Sequence, residues 1–141
     1  MLTVSIITPE RTLPSYQAAH VTFTAIDGEV GIRTGHAPLV AQLKVGFAMV
    51  RDGEGRETLL AVKGGVAQVL KDQVRLFVEA AMDVENIDLA VVDKRLDELG
   101  SANATDAVTI ARNEIDATWY LMLQSLAQRR QGGESGKRKA V

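Results

Sequence analysis

The hydrophobic period of this chain changes once, near Val84, and that change limits the fold to a β part followed by an α part. Before it, apolar residues alternate. Val4 and Ile6 alternate with Thr3 and Ser5 in Leu2–Thr8; Val21, Phe23 and Ala25 share one face against the threonines Thr22 and Thr24. Phe47 and Met49, then Val74, Leu76 and Val78, repeat the pattern. Side chains two apart line one face of a strand, so these runs are half-buried strands. "DGEG" (Asp52–Gly55) and "KD" (Lys71–Asp72) separate such runs and suit tight antiparallel hairpins. Gly64–Gly65 reads as a further hairpin turn, and Gly28, Gly31 and Gly35 as turn glycines with unusual dihedrals. Many short strands at close spacing predict a sandwich or flattened barrel.

After Val84 the steps become three and four. Leu89, Val92, Leu96 and Leu99 make one helical stripe from Asp88 to Leu99, with Gly100 as its stop. Asn103 and Thr105 are candidate N-caps for a second helix. From Asp106 to about Arg130, Val108, Ala111, Ile115, Trp119, Met122 and Leu126 form a longer seam, on a rod of roughly 37 Å. The short connection predicts an antiparallel helical hairpin. The expected domains are 1–84 (sandwich), 85–131 (hairpin) and 132–141, a glycine-rich basic tail expected to be disordered.

Composition narrows the function. Hydrophobic residues are 46% of the 141 and aromatics only 4%, so the core is aliphatic. The formal net charge of -2 and the lack of a basic, aromatic-laced face argue against nucleic acid. Absence of cysteine excludes disulfides and thiolate metal sites. "MLTVSIITPERT" has no cationic segment leading a long apolar one, so no secretion signal is expected, and no run approaches the ~20 apolar residues of a membrane span. The expectation is a soluble protein that reaches a membrane only through a partner.

Catalytic chemistry finds little support. The histidines are His20 and His36, sixteen residues apart, without the paired spacing a metal needs. No serine sits in a nucleophile elbow, and neither "GEVG" nor "KGGV" has the lysine and helix of a phosphate loop. No catalytic, cofactor-binding or metal-binding residue is therefore expected. His36, flanked by Gly35 and Ala37, reads as a structural or interface residue, and Trp119 as the hairpin's main packing residue. On these grounds a free-standing interaction module, or a β-sandwich that binds a small molecule, stays open.

Four stretches together carry a resemblance. "IITPERTLPS", "DGEVGIRTGHAPLVAQLKVG", "AVKGGVAQVLKDQVRLFVEAA" and an Ile-Asp leading into two helices strongly resemble the epsilon-subunit family of F-type ATP synthases, over about Met1 to Arg130. The resemblance implies a ten-stranded antiparallel β-sandwich followed by a two-helix hairpin. It implies a non-catalytic rotor subunit of the central stalk, which links the gamma subunit to the membrane c-ring and so couples ion flow to ATP synthesis. It also implies a place on the cytoplasmic face of a bacterial plasma membrane, peripheral and held by the complex. Glu29, Arg33, His36 and Pro38 would then lie on the c-ring-facing interface. The hairpin, with its seam of Leu89, Val92, Leu96, Val108, Ile115, Trp119 and Met122, would regulate or inhibit hydrolysis, reaching the α/β subunits when extended. Family members that bind ATP carry Ile-Asp-x-x-Arg-Ala. Ile87 and Asp88 match, but Val91 and Val92 replace the arginine and alanine. Without that guanidinium fork a phosphate loses its natural partner, so weak or no ATP binding is expected.

Overall fold

The computed structural model describes residues 1–101 and 103–140, the side chains of 130–140 excepted. Its contacts divide the chain into Met1–Asp83 and Val84–Val141. The first unit contains β1 (Leu2–Ile7), β2 (Tyr16–Ala18), β3 (His20–Ala25), β4 (Gly28–Arg33), β5 (Leu39–Arg51), β6 (Glu57–Leu70), β7 (Gln73–Val78) and β8 (Ala81–Asp83). The second contains a 3₁₀ turn (Val84–Asn86), α1 (Leu89–Gly100) and α2 (Ala107–Ala140).

The strands join in the order β2-β1-β7-β6-β5-β3-β4, with β8 also on β6. The described residues thus form eight strands where ten were expected, and the sheet is not wholly antiparallel, since β1 and β7 run parallel. The two long strands explain the architecture. The first half of β6 pairs with β8 and its second half with β7. β5 follows it throughout, from Leu39↔Val69 to Arg51↔Glu57, while β3 pairs chiefly with the second half of β5. One layer is therefore β4-β3-β5-β6-β8 and the other β5-β6-β7-β1-β2, with β5 and β6 draped across both.

A strand that passes from one layer to the other must keep its apolar side inward, and a bulge does this by inserting residues into the period. In β5 the buried apolar positions are Leu43, then Ala48 and Val50; in β6, Leu60 and Val62, with the small Ala61 between them also enclosed, then Ala67 and Val69. The parity flips in both at the same level. There β3 advances two residues, Phe23 to Ala25, while its partners on β5 move five, Ala48 to Leu43. Thr24 fills the bulge: its hydroxyl donates to the Phe47 carbonyl at 3.3 Å, and a Cβ on Gly46 would come within 2.8 Å of Thr24 Cβ. On β6 the crossing is made by Gly64 and Gly65, with φ of 64° and 125°. They lie inside a strand and not in a hairpin turn. The core between the layers is aliphatic, with Leu2, Val4, Ile6, Val21, Phe23, Ile32, Leu60, Val74 and Leu76 almost wholly enclosed. The Lys71–Asp72 turn is a two-residue hairpin with both residues left-handed, at φ of 49° and 63°.

In the second unit Asp88 caps α1, accepting from the Ala90 and Val91 amides at 3.0 and 3.4 Å. Gly100 closes α1 without a left-handed turn; Ser101 is the C-cap, at φ of -94°. Asp106, rather than Asn103 or Thr105, starts α2, accepting from the Thr109 amide at 2.8 Å. That bond, then one to the Thr109 side chain, with smaller help from other backbone amides, holds the Asp106 carboxyl below its ordinary range. The helices run antiparallel, bridged by Gln124 Nε2 donating to Asp93 Oδ1 at 2.8 Å. The helical assignment of α2 reaches Ala140, into the stretch 132–141 whose composition reads as disordered; the side chains of that stretch and residue 141 lie outside the described residues.

Candidate functional site

The stretch Gly28–Val40 forms an edge. β4 is the outer strand of one layer, and the first half of β5 is the outer strand of the other. Along β4, Val30 and Ile32 turn inward, while Glu29, Gly31 and Arg33 lie on the exposed parity. Arg33 lies four steps along the strand from Glu29, about 13 Å. Glu29 stands beside the β3–β4 turn, on the rim of an open groove that also includes Ile26, Asp27, Leu39 and Val40. Pro38 lines the adjoining groove with Val40, Gln68 and Leu70. Arg33 ends β4 and His36 follows just beyond the turn, where the His36 amide donates to the Arg33 carbonyl at 3.1 Å. The four residues expected at an interface are thus exposed along one continuous edge rather than gathered into a pocket.

His36 has a local role. Its Nδ1 lies 2.6 Å from the Ala37 carbonyl, so Nδ1 carries the proton and donates. Among the described residues, the exposed His36 makes its hydrogen bonds to Arg33 and Ala37, both through backbone carbonyls. Among the described residues no cluster of His, Asp and Glu could hold a metal ion. The turn is fixed from outside, because the Gly35 amide donates to Asp72 Oδ1 at 2.8 Å. The Lys71–Asp72 hairpin therefore belongs to the same end of the sandwich as Arg33 and His36.

Two further residues shape this end, and neither was legible from its neighbours. His20 faces Arg33 on one side and Arg51 on the other through the strand register. Its ring crosses Gly31: a Cβ there would stand 3.1 Å from His20 Nε2. Gly31 is thus a matter of space, unlike Gly28 and Gly35, which have positive φ. His20 Nδ1 is shut from solvent and has no hydrogen-bond partner. Burial first, then the Arg33 and Arg51 guanidinium groups, push the His20 pKa below 6.5. Arg51 also donates through Nε and Nη2 to Glu57 Oε1, at 3.1 and 2.6 Å.

In the hairpin, Ile87, Val92, Trp119, Leu123 and Ala127 are buried, and Leu89, Leu96 and Met122 are half-buried. Val108 is 80% exposed and Ile115 is exposed as well. The buried row on α2 advances in fours, from Trp119 through Leu123 to Ala127, and so departs from the three-four seam drawn through Val108 and Ile115. Asp88 spends its carboxylate on the helix cap.

A two-layer β-sandwich followed in the chain by a helical hairpin points to the delta/epsilon class of ATP synthase chains. The family model described as "ATP synthase, Delta/Epsilon chain, beta-sandwich domain" matches residues 1–84. The ATP synthase epsilon chain of Corynebacterium diphtheriae is 32% identical over 120 residues, covering 82% of this chain and 98% of the other. The chloroplastic epsilon chain of Porphyra purpurea is 32% identical over 118 residues, covering 83% and 85%. A chain in the Euglena gracilis mitochondrial ATP synthase structure (OSCP/F1/c-ring) shares the fold at a TM-score of 0.72 and 24% identity, over 88% of this chain and 79% of that one. This chain belongs to the family of ATP synthase epsilon chains, which are non-catalytic subunits of that membrane-associated complex. Among the described residues no helix is long and apolar enough to cross a membrane.

Proposed function

We propose that the chain is a rotor subunit of the F1 central stalk that joins the gamma subunit to the c-ring and transmits torque between them. Membership of the epsilon-chain family carries this reading, and a second structural neighbour comes from the central stalk and c-ring of the Tetrahymena thermophila enzyme. A joint that carries torque has to resist shear. Two long strands hydrogen-bonded through both layers provide that resistance, because neither layer can slide without breaking the β5–β6 ladder. The sandwich works at the cytoplasmic face of a bacterial plasma membrane, held there by the complex.

Glu29, Arg33, His36 and Pro38 form the c-ring-facing edge. Their support is exposure along one edge and a turn pinned by Asp72. Cysteines at Glu29 or His36 in the assembled enzyme are expected to cross-link to c-subunit loops, while a cysteine at Lys44, at the layer crossing, is not. Lys71 is no control, since its hairpin shares the edge. Cross-links from Lys44 with none from Glu29 or His36 would sink this placement. The hairpin regulates hydrolysis by two alternative packings, one along gamma toward the α/β subunits, which need differ by only a few kcal/mol. The Ile87–Asp88 remnant gives α1 no phosphate-binding role, so nucleotide does not set that balance.

A further inference from the structure

The open end of the β3–β4 hairpin is built around a histidine that has no room to become charged. β4 is an outer strand and pairs with β3 alone, from Ala25↔Gly28 at the turn to His20↔Arg33 at the open end. The pair farthest from the turn, where an edge ladder frays most readily, is therefore the one that contains the imidazole. The ring is half-buried, and a Cβ on Gly31 would stand 3.1 Å from its Nε2. Its Nδ1 is closed off from solvent and has no hydrogen-bond partner. A neutral imidazole can leave Nδ1 without a proton there, which is an acceptor lacking a donor. In the imidazolium both nitrogens are donors, and the Nδ1 proton would point into a space that offers no acceptor.

The groups around the ring act in the same direction. Burial lowers the His20 pKa most, then Arg33 from β4 and Arg51 from β5. The acids nearby face other partners. Glu57 on β6 takes Arg51 at 2.6 Å, one strand further from the ring. In the β5–β6 turn Asp52 accepts from the Glu54 and Arg56 amides, and Glu54 faces Arg56 at 3.5 Å. Along β3 itself the next residues on the same face, Thr22 and Thr24, carry no charge.

We propose that His20 is an acid-sensitive latch on β4: protonation of its ring frees the Arg33 end of β4 from β3. The closed edge disfavours the charged ring, whereas parting the strands lets Nδ1 reach water. The open form therefore takes up the proton first. The latch is fully closed above about 6.5, the ordinary histidine value, and yields as pH falls from there. The opening stays local, because Ile32 is enclosed in the core and Asp72 holds the Gly35 amide just beyond the strand. Glu29 and Arg33, assigned above to the c-ring, lie on this strand, but the latch is a property of the free chain and does not depend on that assignment.

Amide hydrogen exchange of the full chain, corrected for the intrinsic pH dependence of exchange, reads the opening strand by strand. Between about pH 7.5 and 5.5, protection in the β3–β4 ladder is expected to fall by up to about tenfold, the ratio set by a group that titrates near 6.5 in the open form. The β6–β7 ladder, between two inner strands, is expected to keep its protection over the same range. His20→Gln, which cannot take up the proton, is expected to abolish the selective fall. In the native chain alone, β3–β4 protection that does not change with pH, or that falls no more than that of β6–β7, overturns the proposal, so the test does not rest on a variant that must fold. A selective fall that persists in folded His20→Gln overturns it as well, since another group would then be the trigger.

Discussion

Replacing Gly65 with alanine should unfold the sandwich, whereas the same change one residue earlier should not. At Gly65 the backbone has φ of 125°, a region L side chains rarely occupy, at a cost of about 1–3 kcal/mol. The added Cβ would also reach 2.0 Å from the Phe77 carbonyl oxygen and 2.8 Å from Val78 Cα. Those are backbone atoms of the paired strand, so relief requires breaking the Gly65↔Val78 register where β6 enters the second layer. The total is expected to exceed ~4 kcal/mol, a large share of the ~5–15 kcal/mol that holds such a domain together. At Gly64 φ is 64° and the nearest atom to a Cβ is the Leu43 oxygen, 3.9 Å away. Only the left-handed penalty applies there, about 1–2 kcal/mol. Urea denaturation of the full chain, followed through the amide resonances of β5 and β7, measures both. If Gly65→Ala were no less stable than Gly64→Ala, the layer crossing would not run as described.

Other consequences are as direct. Truncation after Val84 should leave a β-rich domain with a cooperative thermal transition, since its apolar alternation closes before the helices begin; in the assembled enzyme the same truncation should raise ATP hydrolysis, and an unchanged rate would argue against a regulatory hairpin. Asp88→Ala should cost ~1 kcal/mol of hairpin stability through the lost cap, read from helical ellipticity in denaturant, and no loss would contradict the capping role. His20 has a folded pKa below its ordinary 6.5, so on acidification the unfolded state takes up the proton first. Its contribution is complete above about 6.5 and drains away as pH falls from there through the folded pKa. His20→Gln should flatten the stability–pH curve in that window, and a slope unchanged by the substitution would refute the assignment.

The strand alternation, the helical stripe and the Lys71–Asp72 hairpin were legible in the sequence because each is set by residues near one another in the chain. The layer crossings were not. Gly64–Gly65 has the composition of a turn, and only the partners on either side, β8 and then β7, reveal a strand passing between layers. The same limit applies at the candidate site. Its residues were readable as a glycine-shaped edge, but the bond from Gly35 to Asp72 spans 37 residues and the His20–Gly31 contact is made only by pairing β3 with β4. Gly31 has the appearance of a turn glycine, yet it is there because an imidazole lies over it. The α2 seam moved because α2 carries apolar residues on several faces, among them Ile110 and Leu121, and periodicity alone does not choose which face is covered.

The central claim is that this chain works as a rotor subunit between gamma and the c-ring. Affinity purification of a tagged full-length chain from detergent-solubilised membranes of its source, with the co-purifying proteins quantified by mass spectrometry, tests it most directly. The account predicts the gamma subunit in equimolar amount, accompanied by the α, β and c subunits and by ATP hydrolysis that salt does not strip away. Recovery of the chain alone, or with partners that include neither gamma nor c, would contradict it.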